Sequence, residues 1–231
     1  MNKRIITATF LMAMSSLAGF AQRQFDNLDR GLIAVKSNGG MYCSWRINAD
    51  EYYATTYDLY RDGVKVNDQP LTVSNFTDPN GTLESQYTVK AVHAGQASAD
   101  SKKGLSLANG WLEVKKPKRI SNDGKTDISN QYEPNDATIG DVDGDGEMEL
   151  ITKQLFIGQD PNNTSQADFA RIEVQKLDGT LLWWIDCGPN MWDFQQNEIN
   201  IMAYDWDGDG KAECVARLQD GSVIHMADGT T

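Results

Sequence analysis

The amino-acid sequence predicts an all-β protein, and three observations favour this fold class. Helical periodicity is almost absent after residue 21, short β-rich runs alternate with turn dipeptides such as Asp-Gly, and one acidic pattern occurs twice, at residues 141–149 and 205–213. We expect a small β-sandwich in residues 22–108 and the first blades of a β-propeller in residues 109–231.

The N-terminal segment has the layout of a secretory signal peptide. Lys3 and Arg4 precede an uncharged, mostly apolar run at residues 5–20, and small residues occupy positions 19 and 21. We expect cleavage after Ala21 and a secreted or periplasmic protein. A membrane anchor is the weaker alternative, because the run is shorter than the roughly 20 apolar residues that a span needs. No other stretch predicts a membrane span.

Composition excludes several classes of partner and site. The chain has 231 residues and a formal net charge of −12, which argues against nucleic-acid binding, since that requires cations that neutralise phosphates. Its three cysteines form no CxxC motif, and His93 and His225 are isolated, so neither a disulfide framework nor a zinc site is predicted. We expect a monomer.

Residues 22–108 resemble a fibronectin type III-like sandwich. The run MYCSWRI at residues 41–47 alternates, with Met41, Cys43, Trp45 and Ile47 on one face. Asp62-Gly63 predicts a hairpin turn between the run at residues 56–61 and Val64.

Composition then shifts. The run WLEV at residues 111–114 is a candidate strand, and the basic run KKPKR at residues 115–119 predicts a solvated linker, with contact to an anionic sugar as the alternative.

The repeated region predicts propeller blades. Each acidic copy is followed by an apolar strand and by further strands joined at Asp-Gly turns. The repeats account for roughly two blades, whereas a propeller closes with about four or more. We therefore expect the chain to be a fragment, or a truncated gene product, of a longer protein.

The acidic copies, DVDGDGEME and DWDGDGKAE, predict two calcium loops. Calcium takes six to eight oxygen ligands, and positions 1, 3, 5 and 9 of each copy supply carboxylates, while position 7 supplies a carbonyl. The competing interpretation is a pair of Asp-Gly turns on an acidic surface. Magnesium is disfavoured, because it usually keeps several waters. The predicted ligands are Asp141, Asp143, Asp145, Glu147 and Glu149 in the first loop, and Asp205, Asp207, Asp209, Lys211 and Glu213 in the second.

The chain resembles family 11 rhamnogalacturonan lyases (polysaccharide lyase family 11) along nearly all of its length beyond residue 21. The resemblance is carried, in order, by DRGL at 29–32, SWR at 44–46, YRDG at 60–63, YTVKAV at 87–92, NDA at 135–137, KLDGT at 176–180, GPN at 188–190 and the second acidic copy. It departs from the family pattern at residues 152–154 and 191–198.

This resemblance implies an eight-bladed, calcium-binding propeller that cleaves the rhamnose–galacturonate backbone of pectin by β-elimination. The expected partner is pectic rhamnogalacturonan I, and calcium is expected to be structural more often than catalytic. We assign no catalytic residue and expect this piece to be inactive on its own. Lys153 and Arg217 follow the two loops at matching places, and each is either a carboxylate binder or an inert charge at a strand end.

The alternative function is a non-catalytic module of the FG-GAP type, a calcium-binding propeller that holds glycan or protein. Trp183, Trp184, Trp192 and Trp206 are candidates for a sugar-stacking platform, although packing explains such residues more often.

Overall fold

The computed structural model describes residues 28–49, 51, 54–158, 160, 166–191 and 200–231. The all-β prediction is confirmed, because the described residues form fifteen strands and a single 3-10 turn at Ser129–Gln131. The predicted signal peptide lies outside the described residues. In the part of the chain that is described, no helix has the length and apolar character needed to cross a membrane.

Eight strands in the first half form two four-stranded sheets. One has the order β5-β2-β1-β8 and the other the order β4-β3-β6-β7. Their bounds are β1 Ile33–Ser37, β2 Gly40–Ser44, β3 Thr55–Arg61, β4 Val64–Lys65, β5 Asn75–Asp78, β6 Tyr87–His93, β7 Gln96–Ala97 and β8 Leu105–Leu107.

Both sheets contribute side chains to one buried core. Met41, Cys43 and Trp45 come from the run whose alternation predicted an inner face, and they pack with Tyr57, Leu59 and other apolar side chains. The alternation was wrong for Ile47, which lies three residues beyond the end of β2 at Ser44 and is 52% exposed.

The second half of the chain is built on a five-stranded antiparallel sheet with the order β15-β12-β11-β10-β9. Its strands are β9 Tyr132–Gly140, β10 Glu149–Phe156, β11 Arg171–Gln175, β12 Leu181–Asp186 and β15 Val223–Met226. One face packs a core that includes Ile151, Ile172 and Val174. Strands β13 Ile201–Tyr204 and β14 Glu213–Ala216 pair only with each other among the described strands.

The two sequence repeats therefore contribute strands to the same sheet. The first repeat forms the meander β9 to β12, but β15 of the second repeat pairs with β12 and not with β14. The edge of β12 offers unpaired backbone N–H and C=O groups, and β15 satisfies them.

The opposite face of the five-stranded sheet carries a buried polar layer covered by residues 115–131. Arg119 is 2% exposed and forms a two-pronged ion pair with Glu173, which is 1% exposed. Asn122 donates a 2.7 Å hydrogen bond to Asp186. The basic run is thus not wholly a solvated linker, because its last residue is part of the core. The candidate strand at residues 111–114 is also wrong, since this segment is irregular and Trp111 is 68% exposed.

Replacing Arg119 with Met will test the buried ion pair. The variant leaves the Glu173 carboxylate buried without its partner, so we expect a loss of about 3–5 kcal/mol in the free energy of unfolding. The double variant R119M/E173M removes both charges and should recover most of that loss. Urea denaturation of both variants measures the difference, and equal destabilisation by the single and double variants would contradict the assignment.

Candidate metal sites

The two acidic loops occupy equivalent places in the fold. Residues 141–149 connect β9 to β10, and residues 205–213 connect β13 to β14. In each, the first aspartate directly follows a strand and the glutamate at position 9 is the first residue of the next strand. The antiparallel ladders therefore bring the two ends of each loop together, with Gly140 paired to Glu149 and Tyr204 paired to Glu213.

The first aspartate of the first loop organises the backbone around it. Oδ1 of Asp141 accepts hydrogen bonds from the backbone N–H groups of Gly144 and Asp145, at 2.8 and 3.0 Å, and Oδ2 accepts one from Gly146 at 2.8 Å. Gly144 and Gly146 have φ of +78° and +89°, which residues with a Cβ rarely adopt. Glu149 closes the loop by accepting the N–H of Val142 at 2.9 Å.

The second loop repeats this arrangement. Asp205 accepts the N–H groups of Gly208, Asp209 and Gly210 at 2.6, 3.1 and 2.9 Å, and Glu213 accepts the N–H of Trp206 at 2.9 Å. Because the two loops share this hydrogen-bond pattern, the motif itself accounts for the conformation of each loop.

The loops bring most of the predicted carboxylates together. One oxygen from each of Asp205, Asp207, Asp209 and Glu213 lies within 4.8 Å of the others, as do oxygens of Asp141, Asp143 and Glu149. Such oxygen clusters fit a hard divalent cation. Asp145 lies outside the first cluster, and the side chain of Glu147 contacts Lys102 at 3.6 Å.

Two lysine ammonium groups lie against the first loop. Nζ of Lys176 lies 2.6 Å from Oδ2 of Asp143 and 2.9 Å from Oδ2 of Asp145. Nζ of Lys102 lies 3.2 Å from Oδ1 of Asp145. The hydrogen bond from Lys176 is the main reason that the pKa of Asp145 falls to about 2. The loop carboxylates therefore already hold positive charge in this structure, which supports their fit to a cation. Neither lysine was predicted, because each is distant in sequence from the loop.

The environment of Glu149 disfavours the charged form of its carboxyl group. Its side chain is buried, and this desolvation, with repulsion from Asp143 and Asp145, raises its pKa to about 6. A cation at the cluster would reverse the effect by stabilising the charged form.

The two loops also contact each other and the N-terminal sheets. The N–H of Ala212 donates a 2.7 Å hydrogen bond to the carbonyl of Asp141, and the N–H of Asp29 donates one of 2.8 Å to the carbonyl of Gly146. The first loop is thus a junction between the second loop and the first half of the chain.

The other candidate residues do not converge on one site. Lys153 lies fully buried within β10, so its interpretation as a solvent-facing charge at a strand end was wrong, whereas Arg217 is exposed. Trp183 packs on the core and Trp184, its neighbour in β12, stacks on His225 with ring centroids 4.8 Å apart. Trp206 is 45% exposed, and Trp192 lies outside the described residues.

Comparisons with known families cover both halves of the chain. Residues 23–106 match the rhamnogalacturonan I lyase β-sheet domain, and residues 111–230 match the C-terminal domain of rhamnogalacturonan lyase family 11.

Relatives of known function are similar over most of this chain. Rhamnogalacturonan endolyase YesW of Bacillus subtilis (strain 168) is 38% identical over 99% of this chain and 38% of its own length. Rhamnogalacturonan exolyase YesX of the same organism is 40% identical over 87% of this chain and 33% of its own length. The chain therefore spans less than two fifths of either relative.

Solved structures agree with this similarity. The crystal structure of YesW superposes with a TM-score of 0.71 at 37% identity and covers 91% of this chain and 36% of YesW. The Bacillus licheniformis rhamnogalacturonan lyase PL11 superposes with a TM-score of 0.68 at 32% identity, covering 90% of this chain and 36% of that chain.

The raised pKa of Glu149 predicts how stability depends on pH in the absence of divalent ions. A carboxyl whose pKa rises on folding, here from 4.5 to about 6, stabilises the folded state at low pH and loses that contribution as pH rises from 4.5 to 6. We expect this group to lower the free energy of unfolding by about 2 kcal/mol between pH 4.5 and pH 7, at about 1.4 kcal/mol per pKa unit.

Urea denaturation in chelator at both pH values measures this loss. The variant Glu149→Gln cannot ionise but can still accept the N–H of Val142, so its loss should be smaller by that amount. An identical pH dependence in the two proteins would contradict the prediction.

Proposed function

Since this chain belongs to rhamnogalacturonan lyase family 11, we propose that it is the N-terminal part of a calcium-dependent lyase that cleaves the rhamnose–galacturonate backbone of pectin by β-elimination. One observation carries the proposal: the two family models match in order and cover residues 23–106 and 111–230. The names of the similar B. subtilis proteins give the substrate class, rhamnogalacturonan.

We further propose that residues 22–108 form a fibronectin III-like domain and that residues 109–231 contribute the first blades of a propeller. Two facing sheets with a shared core support the first assignment. The antiparallel meander of β9 to β12, with an acidic loop in each repeat, supports the second. Strands that a further blade would contribute are the natural partners for β13 and β14.

Calcium is the proposed cofactor of both loops. Asp141, Asp143 and Glu149 would hold one ion, and the four clustered carboxylates of the second loop would hold the other. Bound calcium would neutralise carboxylates that repel one another and so fix each loop to the start of its strand. We assign these ions a structural role, because the antiparallel ladder joins the two ends of each loop and the first aspartate of each loop accepts N–H groups from the loop backbone.

The elimination reaction sets requirements that these loops do not meet alone. A positive group must neutralise the uronate carboxylate, and a base must then remove the proton at C5. The lysines at the first loop are engaged with Asp143, Asp145 and Glu147. We therefore place the base in the part of the relatives that this chain does not span, and propose that the chain alone is inactive.

Export, a monomeric state and pectic polysaccharide as the partner complete the proposal. The basic start and apolar run of residues 1–21 support a secreted or periplasmic location.

Removal of calcium should lower the thermal stability of the chain. At a calcium concentration 100 times its dissociation constant, one site contributes about 2.7 kcal/mol. For a protein of this size that corresponds to a shift of roughly 5–10 °C in Tm per loop. Differential scanning calorimetry with calcium and with excess chelator measures the shift, and Asp207→Asn should abolish part of it. An unchanged Tm in chelator would count against occupancy of both loops.

The lyase assignment predicts unsaturated uronate products from the full-length protein. Incubation with rhamnogalacturonan should produce near-ultraviolet absorbance, while residues 1–231 alone should produce none. Product chain length would separate endo from exo cleavage. Binding of rhamnogalacturonan by the full-length protein without any absorbance would instead favour the non-catalytic module.

A further inference from the structure

We propose that Lys176 is a built-in counter-ion that occupies the first acidic loop when divalent cations are scarce, so that the second loop fills at a lower calcium concentration. The inference rests on the proposed calcium function and adds a difference between two loops of nearly identical sequence. The difference between the loops is that the Lys176 ammonium group lies against the carboxylates of the first loop.

The geometry of Lys176 is that of a cation held by the loop. Its Nζ bridges Asp143 and Asp145, which are positions 3 and 5 of the motif, at 2.6 and 2.9 Å. Both aspartates are predicted calcium ligands, so an incoming ion and the ammonium group compete for the same oxygens. Asp145, which Lys176 contacts, lies outside the cluster formed by Asp141, Asp143 and Glu149.

The second loop has no such competitor in the part of the chain that the structure describes. Its four carboxylates cluster together, including position 5, Asp209. No lysine or arginine of the described residues forms an ion pair with them, whereas the first loop has ion pairs with two lysines. The second loop therefore presents a more complete ligand set to a cation.

The fold keeps Lys176 in place. The residue begins the turn between β11 and β12, where its N–H donates a 2.9 Å bond to the carbonyl of Thr180 and its carbonyl accepts one of 2.9 Å from Gly179. An ammonium group tethered in this way has a high effective concentration at its partner carboxylates. Calcium must displace Lys176 from Asp143 and Asp145, and Lys102 from Asp145, before both aspartates become available.

Calcium titration of loop-specific variants tests the inference. D207N/D209N disables the second loop and D143N/D145N disables the first, and each amide still accepts the backbone hydrogen bonds of the aspartate it replaces. Isothermal titration calorimetry of chelator-stripped protein should show that D143N/D145N binds calcium at least tenfold more tightly than D207N/D209N. Adding Lys176→Met to D207N/D209N should tighten binding about tenfold.

A matched control separates competition from net charge. Lys103 is exposed in the same chain, so Lys103→Met removes the same charge without touching the loop. Added to D207N/D209N, Lys103→Met should change the calcium affinity of the first loop less than twofold. Added to D143N/D145N, Lys176→Met should likewise change the calcium affinity of the second loop less than twofold. Circular dichroism confirms that each variant is folded.

The outcomes distinguish this inference from the proposed function. Equal affinities of the two loops, or equal effects of Lys176→Met and Lys103→Met, would overturn the counter-ion role while leaving calcium binding intact. Absence of calcium binding by the unmodified chain and every variant would overturn the calcium function itself, and the inference with it.

Discussion

Crowded negative charge in the two acidic loops is the constraint on which the second half of the chain depends. Each loop folds its backbone N–H groups onto its first aspartate and so places further carboxylates close together. Two unit charges about 4 Å apart repel by roughly 4 kcal/mol at an effective dielectric constant of 20. Lysine ammonium groups offset this repulsion at the first loop, and a bound divalent cation would offset it at both loops.

Buried charged groups also stabilise the five-stranded sheet, on the face opposite its apolar core. Residues 115–131 cross a layer of polar side chains, and the contact includes the ion pair of Arg119 with Glu173 and a hydrogen bond from Gln175 to the carbonyl of Lys115. Arg119 also lies over the ring of Tyr132, with 5.2 Å between its Cζ and the ring centroid. The segment that joins the two halves of the chain is therefore part of the packing of the second half.

Structural features that depend on interactions between residues close in sequence could be predicted from local sequence patterns. The acidic loops followed from their motif, because the backbone N–H groups that bind the first aspartate and the closing glutamate of each loop lie no more than seven positions away from them. The inward-facing side chains of β2, Met41 and Cys43, and of Trp45 just beyond its end followed from the alternation.

Contacts between distant residues were not predictable in this way. Arg119 pairs with a residue 54 positions away, and Lys176 reaches Asp145 across 31 positions. Nothing in a basic run or a hairpin turn specifies such partners. For the same reason, the pairing of β15 with the first repeat was not predicted. An Asp-Gly turn reverses the direction of the chain, but it does not determine which sheet edge the next strand joins.

The hydrogen bond from Ala212 to the carbonyl of Asp141 joins two repeats through main-chain atoms alone. A Cβ on Gly140 would come within 2.9 Å of the Ala212 side chain, so the repeats meet there at nearly backbone distance. If successive repeats of the proposed propeller meet in the same way, peptide groups and small residues would set the angle between neighbouring blades. Side chains elsewhere on each blade would then be free to diverge without altering that angle.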